Sequence, residues 1–186
     1  WEFRRWPHFF ESGGRGSGLW VSHDGGDSWE EISDEAPFPD GPLGRIGVDV
    51  APSDPDVVYA LVEARESQLL RSDDGGESWR VVNDDPGIAQ RPFYYGRIMV
   101  DPGNPDRIYN IHGTLDLSTD GGRTFEGAAT WGGGVHVDHH ALWIDPSNPD
   151  LVVDGNDGGV YISRNRAGSW RFVTNLPLSQ FYEIDV

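Results

Sequence analysis

A hairpin-like octet recurs four times along the chain, and this repeat constrains the fold more than any other feature. The copies are residues 22–29 (SHDGGDSW), 72–79 (SDDGGESW), 118–125 (STDGGRTF) and 163–170 (SRNRAGSW). Their closing aromatics, Trp29, Trp79, Phe125 and Trp170, follow one another at intervals of 45 to 50 residues. That period belongs to units of four short strands stacked around an axis, as in propeller blades. A second motif interleaves with the first: residues 52–56 (PSDPD), 101–106 (DPGNPD) and 145–150 (DPSNPD).

Between these punctuators lie short runs rich in Val, Ile, Leu, Tyr and Trp, the composition of strands. In the second unit they are residues 45–50, 57–62, 68–72 and 78–82. Each unit therefore reads as four antiparallel strands, A to D. The Pro-Asp stretch forms the A–B turn, where Pro fixes φ and Asx side chains cap the loop. The Asp-Gly-Gly stretch forms the C–D hairpin, where Gly supplies positive φ. The abundance of Gly (25) and Pro (13) among 186 residues agrees with many tight turns and excludes a helical bundle.

The expected class is all-β, a β-propeller with three complete blades (44–83, 96–130 and 140–174). A partial blade (1–35) precedes them, with a strand B near residues 1–6 and strands C and D at 18–22 and 28–32. The start of a further blade (180–186) follows. The whole reads as one propeller segment, a slice of a larger ring rather than a closed four-bladed one.

Charge narrows the partners. Fourteen basic and 31 acidic side chains give a net charge of −17, which excludes a protein that works by neutralising nucleic-acid phosphates. It also opposes anionic membrane surfaces. No apolar run approaches the roughly 20 residues of a spanning helix, so membrane insertion is not expected. The chain has no Cys, which removes disulfides, thiolate metal sites and a cysteine nucleophile.

The octet is identified as the Asp-box, or bacterial neuraminidase repeat, with the fourth copy departing at Asn165 and Ala167. Asp-boxes occur in sialidases, xyloglucan-active propeller hydrolases, sortilin-type receptor domains and a photosystem assembly factor, so they mark fold rather than activity. Asp24, Asp74, Asp120 and Asn165 are read as turn acceptors, and Trp29, Trp79, Phe125 and Trp170 as core. A distorted turn is expected at the fourth copy. Residues 12–20, 41–48, 91–97, 138–145, 155–160 and 180–182 together resemble large secreted bacterial proteins of sortilin-like or glycosyl-hydrolase-like type. That resemblance implies a secreted or periplasmic protein.

Strand connections alternate between the two ends of a blade. The Asp-boxes and Pro-Asp turns share one end. The B–C turns and D–A loops share the other, where propellers bind ligands. That end collects Arg45, Tyr94, Tyr95, Arg97, His112, Trp131, His136, Asp138, His139, His140, Asn156 and Asp157. Loop aromatics such as Tyr94 and Trp131 can stack on sugars or anchor a peptide. No cofactor and no metal site are expected; a metal, if bound, would draw on His136, Asp138, His139 and His140. The alternative to a metal is that His side chains bond loop backbone and that Asp157 caps the following Gly-Gly turn.

Residues 132–134 and 156–161 are similar to glycine-rich and Thr-Asp-x-Gly-Gly-x-Tyr elements of the xyloglucan-active hydrolases. That similarity implies a catalytic carboxylate at Asp157 only; no second carboxylate is identified. The expected function is thus a binding or scaffold module for a protein, peptide or glycan. A glycoside hydrolase using Asp157 is one alternative, and an assembly factor or accessory subunit is another.

Overall fold

The computed structural model describes residues 1–35 and 37–176. The expected strand at 180–186 lies outside these residues. The strands in chain order are β1 (Phe3–Trp6), β2 (Phe9–Ser12), β3 (Trp20–Val21), β4 (Glu30–Glu31), β5 (Ile46–Val50) and β6 (Val58–Val62). There follow β7 (Gln68–Ser72), β8 (Arg80–Asn83), β9 (Arg97–Asp101), β10 (Asn104–Ile111), β11 (Leu115–Ser118) and β12 (Glu126–Ala129). The last four are β13 (His139–Ile144), β14 (Val152–Asn156), β15 (Gly159–Ser163) and β16 (Arg171–Phe172).

They form three four-stranded antiparallel meanders, β5–β8, β9–β12 and β13–β16, preceded by the ribbons β1–β2 and β3–β4. Residues 1–6 are therefore not a strand B. Phe3–Trp6 pairs with Phe9–Ser12 as a separate hairpin.

Sheets stack face to face because their second strands are apolar on both faces. In β6 all five residues are buried. Tyr59 and Leu61, with Leu69 of β7, pack against Ile98, Val100 and Ile108 of the next sheet. Ala60 and Val62 point the other way, toward Phe38, Leu43 and Leu70. β10 repeats the arrangement: Ile108 joins the first cluster, while Tyr109 and Ile111 join Leu142, Ile144 and Val152 of the third sheet. The period-2 alternation of a strand thus serves two interfaces at once.

The repeated hairpins carry one hydrogen-bond pattern. In the second copy Asp74 Oδ1 accepts from Ser78 N (2.8 Å), and Gly76 N donates to Ser72 Oγ (2.8 Å). Ser78 is spent on this turn, which is why β8 begins at Arg80 rather than at residue 78. These bonds to the charged form hold Asp74 down to about 2, led by the Ser78 hydroxyl. Asp120 also falls to about 2, its partial burial outweighed by donors from Thr124 and Ser118.

The fourth copy corrects the expectation of a distorted turn. Asn165 Oδ1 accepts from Ser169 N (2.9 Å), and Ala167 N donates to Ser163 Oγ (2.9 Å), as in the other copies. The departure appears as backbone strain instead. Arg166 and Ala167 take φ of 55° and 67°, where the second copy has Gly75 and Gly76 at 74° and 97°.

Each hairpin aromatic packs onto the sheet N-terminal to its own. Trp79 meets Phe38, and Trp170 Nε1 donates to Ala128 O at 2.9 Å. No described element stands there for Trp29, so that ring is 60% exposed rather than core.

The first strands of consecutive sheets come into direct contact. A Cβ added at Gly47 in β5 would lie 2.1 Å from the carbonyl oxygen of Gly96, just before β9. Asp49 Oδ2 accepts from Val100 N across the same seam (2.6 Å).

Two outcomes follow from this packing. Gly47→Ala should destabilise by about 1–3 kcal/mol or more, because backbone must move. Gly25→Ala, whose Cβ meets nothing within 4 Å, should cost only the left-handed penalty of about 1 kcal/mol; chemical denaturation of the two variants checks the difference. The depressed hairpin carboxyls contribute stability that is complete above their ordinary value of 3.8 and lost as pH falls toward about 2. Melting temperature should therefore drop between pH 4 and pH 2, and the Asp74→Asn/Asp120→Asn variant should show a shallower drop.

Candidate functional site

The close approach of Gly47 and Gly96 sets the geometry of the loop end. Arg45 lies two residues before Gly47 and Arg97 directly follows Gly96, so the seam brings two guanidinium groups from different sheets together. Burial and the neighbouring Arg97 both push Arg45 below its ordinary value. Among the described residues neither Arg is in an ion pair. Arg45 Nη1 donates to Tyr94 O and Arg97 Nη1 to His140 O, each at 3.4 Å. Trp1 covers one face of Arg45, its ring centroid 5.5 Å from the guanidinium carbon.

The opposite end of the sheets is different. There Arg71 pairs with both Asp73 and Asp106, and Arg107 reaches Asp101 at 3.6 Å. Among the described residues, Arg–carboxylate pairs thus form at Arg71, Arg107 and Arg166 on the hairpin end and not at Arg45 or Arg97.

Arg45 and Arg97 line a cavity of about 260 Å³ with Tyr94, Tyr95, Ile111, His139 and His140. A trough of about 440 Å³ that also contains both arginines runs on along β5 and β9. Three other wall residues, His139, His140 and Tyr95, are each bonded to a carboxylate. His139 Nδ1 donates to both oxygens of Asp154 (2.9 Å each), with both side chains fully buried. Its Nε2 has no partner among the described residues. Asn156 Nδ2 also donates to Asp154 (2.9 Å). His140 Nε2 lies 2.9 Å from Asp157 Oδ1.

Tyr95 OH donates to Asp138 Oδ1, and Arg91 stands 3.7 Å from the same oxygen. Burial, then this bond to a carboxylate, push the Tyr95 hydroxyl well above the phenol range. Asp138 holds a left-handed φ of 61°, so the loop before β13 is strained in order to present that carboxylate.

The other expected residues sit nearby but apart from the cavity. His112 Nδ1 accepts from Thr114 N at 3.4 Å, which leaves the Nε2 proton for Asp116 Oδ2 at 2.9 Å. Burial works to raise the Asp116 carboxyl, but the hydrogen bonds from His112 and Thr114 outweigh it and hold it low. His136 Nδ1 bonds Val137 O (2.9 Å) and packs edge-on to Trp131, which is 67% exposed on a short 3-10 turn. His136, Asp138, His139 and His140 are thus turned to four different partners. Among the described residues no three His, Asp or Glu groups converge on a metal position. The cap of the Gly-Gly turn is Asn156, whose Oδ1 accepts from Gly158 N (2.9 Å), and not Asp157.

Sequence reasoning missed three participants. Asp154 sits inside a strand and shows its role only through pairing with His139. Arg91 lies in the loop with Tyr94 and Tyr95. The β1–β2 hairpin surrounds Phe93 with Trp1, Phe3 and Phe10, at ring distances of 5.4, 5.6 and 5.1 Å. Its signal was the run of aromatics in residues 1–10.

No family model matches the chain, and no curated protein matches its sequence. Solved structures do match in three dimensions. An ancestral GH74 enzyme aligns with TM-score 0.57 and 19% identity, over 84% of this chain and 21% of that one. The GH74 enzyme of Niastella koreensis aligns with TM-score 0.54 and 18% identity, over 70% and 22%. YCF48 bound to a D1 peptide aligns with TM-score 0.53 and 18% identity, over 83% and 47%. The fold is that of a β-propeller. At these identities the likeness concerns fold alone. The chain spans about a fifth of the GH74 enzymes and under half of YCF48. In propeller terms the three meanders are blades, and β5, β9 and β13 are their first strands.

Tyr95→Phe removes the donor that Asp138 faces. The variant should lose about 1.5–3 kcal/mol, the range for a hydrogen bond to a charged group. Amide exchange should quicken in residues 91–96 and 136–138, and denaturant titration with exchange mapping checks both.

Proposed function

We propose that the loop end of this propeller is a binding surface for a peptide that carries carboxylates. The observation behind the reading is the Arg45–Arg97 pair: two guanidinium groups line one cavity with no carboxylate at ion-pair distance among the described residues, in a chain of net charge −17. A bidentate carboxylate suits that geometry and would relieve the repulsion between the two cations. The aromatic cluster of Trp1, Phe3, Phe10 and Phe93, with Trp1 stacked on Arg45, supplies apolar contacts beside them. YCF48, one of the proteins of similar fold, is a propeller with a bound peptide.

In this reading the repeated hairpins are Asp-boxes with a structural role, and the chain is one propeller segment of a secreted or periplasmic protein of sortilin-like type. Further blades of the parent chain complete the ring. No nucleic acid, membrane insertion or cofactor enters the function.

A second reading has its own support. The fold is shared with GH74 enzymes, and Asp157 is held beside His140 at the same end. A glycoside hydrolase would use Asp157 as one of two carboxylates.

An array of ten-residue peptides with free C-termini, probed beside the same array amidated, tests the first reading. Free or acidic peptides should bind better, with affinity falling as salt rises. The Arg45→Ala/Arg97→Ala variant should lose tenfold or more, about 1.4 kcal/mol. Equal binding by variant and parent would refute it. Release of reducing sugar from a polysaccharide, abolished by Asp157→Asn, would establish the second reading instead.

A further inference from the structure

A groove of about 760 Å³ separates the first and second complete blades, away from the arginine cavity. One wall is the segment after β8, with Asp84, Asp85 and Ile88. The other is built from Asn110 of β10, Asp116 of β11, and Arg123 and Phe125 before β12. Asn110 is 2% exposed. Its Nδ2 donates to Ile88 O at 2.8 Å, which fixes the orientation of the amide. Among the described residues its Oδ1 is then left without a partner, and the residue is buried and lines the groove. A buried carbonyl without a donor costs about 1–3 kcal/mol, so the site calls for a ligand hydroxyl or N–H.

The rest of the wall narrows the ligand class. Three carboxylates against one guanidinium repel anions. Asp116 is held ionised by His112 and Thr114 and is an obligate acceptor. A cation is disfavoured because no three carboxylate or imidazole groups converge among the described residues. Half-buried Phe125 offers an apolar face beside these acceptors. Acceptors set next to an aromatic face match a neutral ring that bears hydroxyls around its rim and C–H groups on its face.

We propose that this inter-blade groove binds a neutral saccharide, with Asn110 Oδ1 and the Asp116 carboxylate accepting from its hydroxyls. The site is separate from the loop-end cavity and does not depend on the peptide reading.

Two-dimensional NMR of the 186-residue chain, titrated in turn with cellotetraose, maltotetraose, N-acetylchitotetraose and calcium chloride, tests it. At least one oligosaccharide should produce saturable shifts centred on the Asn110 side-chain amide, Ile88 and Phe125. Asn110→Leu should weaken that binding by about tenfold, the effect of one buried hydrogen bond to the ligand. The rim variant Asp84→Ala/Gln90→Ala changes only exposed residues, and should weaken it by about threefold with an unchanged melting temperature. It keeps the test decisive should Asn110→Leu fail to fold. No shifts with any sugar up to millimolar concentration would overturn the proposal. So would shifts confined to Arg45 and Tyr95, or shifts at the groove with calcium alone.

Discussion

The contact between Gly47 and Gly96 is the constraint on which the functional end depends. A backbone carbonyl occupies the space a Cβ would take, so the first strands of two consecutive blades pack at backbone distance. Asp49, accepting from Val100 N, ties the same seam below. Everything attached to those strand starts is brought together as a consequence. Arg45 and Arg97 become neighbours, and Tyr94 and Tyr95 close over them. Two like charges are thereby held side by side, an arrangement that stability alone does not select. The repulsion is borne by the packing beneath it, where β6 and β10 bury apolar side chains on both faces.

The two ends of the blades use the same residue types to opposite effect. At the hairpin end, Arg71, Arg107 and Arg166 are matched to aspartates and turn carboxyls are matched to N–H and hydroxyl donors. At the loop end, the carboxylates are matched to His and Tyr instead: Asp154 to His139, Asp116 to His112, Asp157 to His140, and Asp138 to Tyr95. These pairings engage the acids and leave the guanidinium groups facing a cavity. Both cations on the cavity wall therefore keep hydrogen-bonding capacity in an otherwise acidic protein.

Much of the architecture could be read from the sequence because its signals are local. Hairpin residues that need positive φ, turn acceptors and period-2 apolar runs all lie within a few residues of one another. The limits were set by contacts between blades. Gly47 and Gly96 are 49 positions apart, and nothing near either one announces the other. Asp154 resembles any polar residue in a strand until His139 is seen beside it. Trp29 fits its repeat perfectly and is nevertheless exposed, because an aromatic in this register is covered only by the preceding blade. Ala167 fails the Gly pattern and still adopts the turn, since the Ser163 and Asn165 bonds outweigh the strain.

We propose Arg45 and Arg97 as one anion-binding unit. It is tested most directly by titrating acetate into the 186-residue chain while following the guanidinium Nε–Hε resonances by NMR. Saturable shifts are expected at Arg45 and Arg97 with a common dissociation constant, and only weak linear drift at exposed Arg4. Identical drift at all three would contradict it.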